Sequence, residues 1–176
     1  MMGKFLAVLL VACAVGAGVS MYYLQVYAFY EELDPADVGN VKVLDLNTGQ
    51  SESILTENLK AIDSDSSPIR FRSCFETSLS VALMTETYAI YEDAEPLVAP
   101  GWFDCFDAEE IGLALESGEA VAFLGEENIT YGIDRVIAVM PDGRGFGWNQ
   151  INACGEVVFD GDDAPEGCPT PPEGAN

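Results

Sequence analysis

The chain has 176 residues, with 30 acidic against 7 basic side chains, a formal net charge of −23 and no histidine. A surface of that sign makes nucleic acid and anionic lipid head groups poor partners and cationic proteins natural ones, although acidic surfaces also keep exported proteins soluble. The missing histidine removes His-dependent triads, imidazole acid–base chemistry, haem ligation through His and nearly all catalytic zinc sites.

The first element is an apolar run. Phe5 to Leu24 is apolar apart from Ser20, about the length of a helix that crosses a bilayer. Tyr22, Tyr23, Tyr27, Phe29 and Tyr30 crowd its outer end, the aromatic composition favoured at a membrane–water interface. Lys4 is the only basic side chain before the run, whereas Glu31, Glu32, Asp34 and Asp37 follow it with no base until Lys42. The positive-inside bias then puts the N-terminus in the cytoplasm and the body outside, which in a bacterium means an inner-membrane anchor and a periplasmic domain. A cleaved signal ending at Val15-Gly16-Ala17 and a lipoprotein signal ending at Leu10-Val11-Ala12-Cys13 are the rivals. In both, apolar residues continue past the cleavage point, where a polar start belongs. A retained anchor over residues 1–30 is therefore expected, with an acidic domain over 31–168 and a Pro- and Gly-rich disordered tail over 169–176. Ala12, Gly16 and Ser20 recur every fourth residue on one helical face, and small residues at that spacing let a second membrane helix approach closely. Signal anchors are rich in Ala and Gly in any case.

In the body, Asp34 to Asp37 reads as a juxtamembrane turn, and Val41 to Leu46 as a strand ending at Asn47-Thr48-Gly49. Glu57 to Ile62 suggests a short helical turn. Ile69 to Phe75 alternates apolar residues with Arg70 and Arg72 as a half-buried strand does. Leu79 to Tyr91 fits helix and strand equally. Asp107 caps the clearest helix, with Glu110 placed to close a capping box and Gly118 to end it. Ala120 to Leu124, Ile133 to Met140, Gly145 to Ile151 and Val157 to Phe159 read as strands, with a hairpin turn at Pro141-Asp142-Gly143. The sum is an α+β fold, a mainly antiparallel sheet with one or two helices behind one transmembrane helix.

Cys74, Cys105, Cys154 and Cys168 lie in the body, and four cysteines allow three pairings. Cys74–Cys105 and Cys154–Cys168 is the favoured one, since the first pair is flanked by aromatic residues and the second closes a short turn-rich loop. No Cys-x-x-Cys occurs, so structural disulfides of an oxidising compartment outweigh a redox or zinc centre. Arg70 and Arg72, two apart on a strand, would face one side and could grip a carboxylate or phosphate; arginines among so many acids more often make structural ion pairs. The acidic turns at Asp63 to Ser67 and Asp160 to Asp163 lack the glycine of a calcium loop. No metal or cofactor is expected, and a glycosidase-like carboxylate pair has only composition behind it.

Several stretches carry a resemblance: Met21 to Tyr30, Ser66 to Arg72, Ala99 to Asp107 and Tyr131 to Val136. Over nearly its whole length the chain resembles a set of single-pass membrane proteins of alphaproteobacteria grouped as a domain of unknown function. The resemblance implies bacterial origin and an anchor, and no activity. The functional expectation is a non-catalytic accessory or assembly subunit of an inner-membrane complex, respiratory complexes included. It would contact integral partners through its helix and a basic periplasmic protein such as cytochrome c through its domain. The alternative is a small-ligand or envelope-binding module using Arg70 and Arg72.

Overall fold

The computed structural model describes residues 2–174. Helix α1 (Met2–Tyr23) is rich in Ala, Leu and Val and has no internal proline, and it winds into a π-helical turn over Leu24–Ala28. From Gly3 to Ala28 it is long and apolar enough to cross a membrane, and its apolar side chains are exposed. Its 26 residues rise roughly 40 Å at the α-helical pitch, more than the hydrocarbon thickness requires.

The body is a six-stranded sheet in which every neighbouring pair is antiparallel. Its strands are β1 (Glu31–Leu33), β4 (Glu57–Asp63), β5 (Arg72–Glu76), β8 (Arg144–Ile151), β7 (Ile133–Val139) and β6 (Val121–Thr130), in that spatial order. A separate hairpin pairs β2 (Lys42–Leu44) with β3 (Ser51–Ser53). Four helices accompany the sheet: α2 (Pro35–Val38), α3 (Val81–Thr87), α4 (Ala108–Ser117) and α5 (Ala153–Phe159).

Strand alternation divides the core between the two sheet faces. Val136, Ala138, Phe146, Trp148, Cys74 and Ala122 point to one face, where Phe103, Phe106 and α4 residues Ile111 and Ala114 cover them. Ile137, Val139, Phe75 and Phe123 point to the other, under the β2–β3 hairpin and Met84 of α3. Both faces are buried, which is why β7 reads as a nearly continuous apolar run. Each T-shaped pair that Phe106 makes, with Phe146 and with Trp148, contributes roughly 1 kcal/mol beyond area burial.

Two disulfides are present, Cys74–Cys105 and Cys154–Cys168, with Cα separations of 6.2 and 5.8 Å, and Cys13 is free and exposed. The first staples β5 to the loop before α4; the second ties the tail to α5.

Three local expectations need correction. Glu57–Asp63 is strand β4, not a helical turn: it is sandwiched between β1 and β5, and a β-bulge with Asn58 at φ 53° bends its start. Val157–Phe159 belongs to helix α5, which Asn152 caps by accepting from the N–H groups of Cys154 and Gly155. Only half of the capping box forms on α4. Asp107 accepts from the N–H groups of Glu109 and Glu110, but Glu110 turns its carboxylate to Arg144. The ambiguous stretch from Leu79 resolves into α3, followed by Tyr88 and Ile90 bridging to Asp45 and Phe123. The segment 169–174 holds no helix or strand.

Candidate functional site

The residues of interest gather where α1 meets the sheet. The π-helical turn carries Val26, whose backbone carbonyl accepts from the indole of Trp102 at 2.7 Å. Tyr30 stacks edge-on against the same indole, with ring centroids 6.4 Å apart. Directly after Tyr30 the chain enters β1, whose Glu31, Glu32 and Leu33 pair with Asp63, Ile62 and Ala61. The apolar helix thus runs without a linker into the sheet edge, and Trp102 seals the junction from the loop that the Cys74–Cys105 disulfide holds.

The two arginines flagged by the sequence sit beside this joint but are not a pair. Arg70 precedes β5, in a turn, and its guanidinium lies 5.9 and 5.4 Å from the ring centres of Phe29 and Tyr30. Its Nη1 is buried with no hydrogen-bond partner among the described residues, and the aromatic faces offer the guanidinium its compensation. Arg72 opens β5 and is only 3% exposed. Its Nε donates to Leu97 O at 2.7 Å, Nη1 to Ile69 O and Phe71 O at 2.8 and 2.6 Å, and Nη2 to Val98 O at 3.3 Å. Burial pulls its pKa down to about 10, with Tyr30 and Asp63 opposing the shift, so it stays charged at neutral pH. Four of its five N–H donors are spent on carbonyls, and a side chain only 3% exposed has no free fork to offer a ligand. The anion-binding pair is therefore corrected: Arg72 is a clamp on the 97–98 loop, and Arg70 is an aromatic-stacked residue of the joint.

Arg135 acts in the same way on the opposite face. It lies 3.4 Å over the ring of Phe71 and donates from Nε to Asn149 Oδ1, while Asn149 donates from Nδ2 to Pro68 O at 2.6 Å. Burial lowers its pKa to about 10. Asp63, at the end of β4, is half-buried. Its pKa is raised chiefly by that burial, against a hydrogen bond from Ser64 N and the charge of Arg135.

The remaining cations explain the character of the outer surface. Lys42 pairs with Glu126 at 2.9 Å, and Arg144 with Glu110 and Asp142 at 2.9 and 2.8 Å. Those carboxylates hold the Arg144 pKa above its ordinary value, Glu110 most strongly, and Arg144 holds that of Asp142 below its own. With Arg70, Arg72 and Arg135 turned inward, Lys60 is the exposed cation of the body that makes no ion pair among the described residues. Among the described residues, Glu126, Glu110 and Asp142 are the carboxylates in ion pairs.

Ala12, Gly16 and Ser20 share one face of α1 and are exposed, and a Cβ at Gly16 would meet nothing within 4 Å. Among the described residues no group of three or more Asp, Glu or Cys side chains is placed to hold a metal ion, the Asp63 and Asp160 turns included. The sequence offered no sign of two features. Trp102 could be read only as core, because its partner Val26 is 76 residues away. The buried Asp134 accepts from Asn128 N, Asn152 Nδ2 and Tyr91 Oη at 2.9, 2.8 and 3.3 Å. It joins the β6–β7 turn to the cap of α5 through groups distant in sequence.

Residues 41–169, from the start of β2 to the second disulfide, match the model of a family of unknown function, DUF6446. No curated protein and no solved structure matches the chain. The matched segment is most of the chain and holds both disulfides, β2 to β8, and α3 to α5. The chain belongs to the DUF6446 family.

Proposed function

We propose that this protein is a non-catalytic, membrane-anchored accessory or assembly subunit of a bacterial inner-membrane complex, with its N-terminus in the cytoplasm and its acidic domain in the periplasm. The observation that carries the reading is how the cations are spent. Of the six in the body, Arg70, Arg72 and Arg135 are turned inward and Lys42 and Arg144 are paired with carboxylates on the surface, so the folded domain shows its surroundings a strongly negative surface. Such a field attracts basic partners over about a Debye length, roughly 8 Å in physiological salt, and acts mainly on association rate. A basic neighbouring subunit or a cationic carrier such as cytochrome c fits it, and the helix leaves its small-residue face free for an integral partner. The two disulfides suit an oxidising compartment.

Two measurements test this. A reporter active only in the periplasm, fused after Asn176, is expected to be active, and the intact mass is expected to include residues 5–12. A diacylated species beginning at Cys13 would overturn the anchor. Purification in mild detergent is expected to bring down a stoichiometric membrane partner, released as salt is raised if contact is through the domain. An isolated monomer in several mild detergents would overturn the accessory role.

A further inference from the structure

A cleft of 540 Å³ opens between α4, the start of β6 and the segment 90–97. Its floor and walls are mainly apolar, from Tyr91, Pro96, Leu97, Leu115 and Ala122 among others, and among the described residues its only charged side chains are Glu92, Glu95 and Glu116, all exposed. No base lines it. Gly112 leaves its stretch of the α4 wall without a side chain; a Cβ there would come into ordinary contact, 3.7 Å, with Pro96 Cγ.

The cleft wall is held from beneath by side chains and backbone of the sheet. Arg72 fixes Leu97 O and Val98 O. Gln150 accepts from Glu95 N at 2.8 Å and donates to Asp93 O at 2.6 Å, and Tyr91 N donates to Ala122 O at 2.9 Å. A wall so pinned needs little ordering when something enters. A second copy of the chain is repelled by its own charge. A free small amine in a cleft open along one side keeps much of its water and leaves the apolar floor exposed. A chain segment with aliphatic residues toward the floor and Lys or Arg toward the rim satisfies both features at once.

We propose that this cleft is the docking site for a basic, amphipathic segment of a protein partner. This rests on the reading of the domain as an acidic platform, and it names the place on that platform where contact is made. The test uses the full chain in neutral detergent with two fluorescent peptides of equal length and charge, one of alternating Lys and Leu blocks on a helical repeat, the other with Ser for Leu. Signal from protein-free micelles is subtracted. The expected result is tighter binding of the Lys/Leu peptide. Neutralising the rim (Glu92→Gln, Glu95→Gln, Glu116→Gln) is expected to weaken it about tenfold at low salt. A distant triple (Glu127→Gln, Asp162→Asn, Asp163→Asn) that changes net charge equally is expected to weaken it less than about threefold. Filling the cleft with Gly112→Leu is expected to weaken the Lys/Leu peptide and spare the Lys/Ser one. Equal effects of the two triples, equal affinity of the two peptides, or displacement by millimolar spermidine as effective as by unlabelled peptide would overturn the cleft while leaving the acidic platform standing. No binding of either peptide at low salt would remove both.

Discussion

At the scale of single residues, the chain shows why a buried cation can be structural in an acidic protein. Arg72 reaches four carbonyls from one planar fork, a geometry that a lysine ammonium cannot span. Arg72→Ala leaves those carbonyls without their donor and is expected to cost on the order of 3 kcal/mol in urea unfolding, with Arg72→Lys recovering little of it. Loss of less than about 1 kcal/mol in the alanine variant would mean that the loop re-pairs with water. Asp63 makes the opposite case. Its proton is held more tightly in the fold than in the unfolded chain, chiefly through burial. The stability tied to that proton is full below the ordinary value near 3.8 and is lost as pH rises through the folded value. Asp63→Asn keeps an acceptor for Ser64 N and removes the charge. It is expected to raise the melting temperature relative to wild type at pH 7, with the gain vanishing near pH 3. A larger gain at pH 3 than at pH 7 would mean that attraction to Arg135 outweighs burial.

At the scale of elements, much of the sheet was legible. The strands around Ile133, Gly145 and Ala120, with the Pro141-Asp142-Gly143 turn between two of them, read from β-branched and aromatic runs bounded by turn residues. The helix from Asp107 to Gly118 read from its cap and its αL glycine at φ 74°. Where the reading failed, long-range contacts overrode local preference. Glu57, Leu59, Lys60 and Ala61 favour a helix, yet β1 and β5 on either side make them a strand. Val157 and Val158 favour a strand, yet the Asn152 cap and a close backbone approach make them a helix. That approach is the contact of Gly155 with Gly132, where a Cβ on Gly155 would run into Gly132 O. Neither backbone can yield without disturbing the β6–β7 turn and the Asp134 network. Gly155→Ala is therefore expected to cost about 2 kcal/mol, to raise amide exchange in α5 and to leave α4 protected. Uniform loosening of the whole domain would show instead that α5 is part of the global folding unit. The arginine site was the weakest part of the reading, since alternation on a presumed strand cannot reveal that Arg70 lies before the strand and Arg72 beneath a loop.

At the scale of the whole molecule, the decisive feature is that helix and sheet are joined without slack. Tyr30 ends the aromatic collar and Glu31 begins β1, so any rotation of α1 must be taken up in the π-helical turn or passed to the sheet edge. The indole of Trp102 holds that turn by its bond to Val26 O, and Arg70 lies against Phe29 and Tyr30 on the domain side. A subunit that docks by both its helix and its domain gains from such a joint, because fixing one contact places the other at high effective concentration only when the connection is stiff and correctly aimed. Trp102→Phe keeps an aromatic ring beside Tyr30 and removes the donor, so it separates stiffness from packing. The domain's unfolding midpoint is expected to fall by no more than about 1 kcal/mol in free-energy terms. The joint is expected to loosen more visibly. Cys13 is the free cysteine and takes one spin label directly; a second can be attached at Glu127→Cys on the far edge of the sheet, with both disulfides left oxidised. Distances between the labels in lipid nanodiscs are expected to form one narrow distribution in the wild-type background and a broader one with Trp102→Phe. Equal widths would show that β1 pairing alone fixes the helix. A broad distribution already present with Trp102 intact would show that helix and domain dock independently, and the advantage of a stiff joint would then be lost.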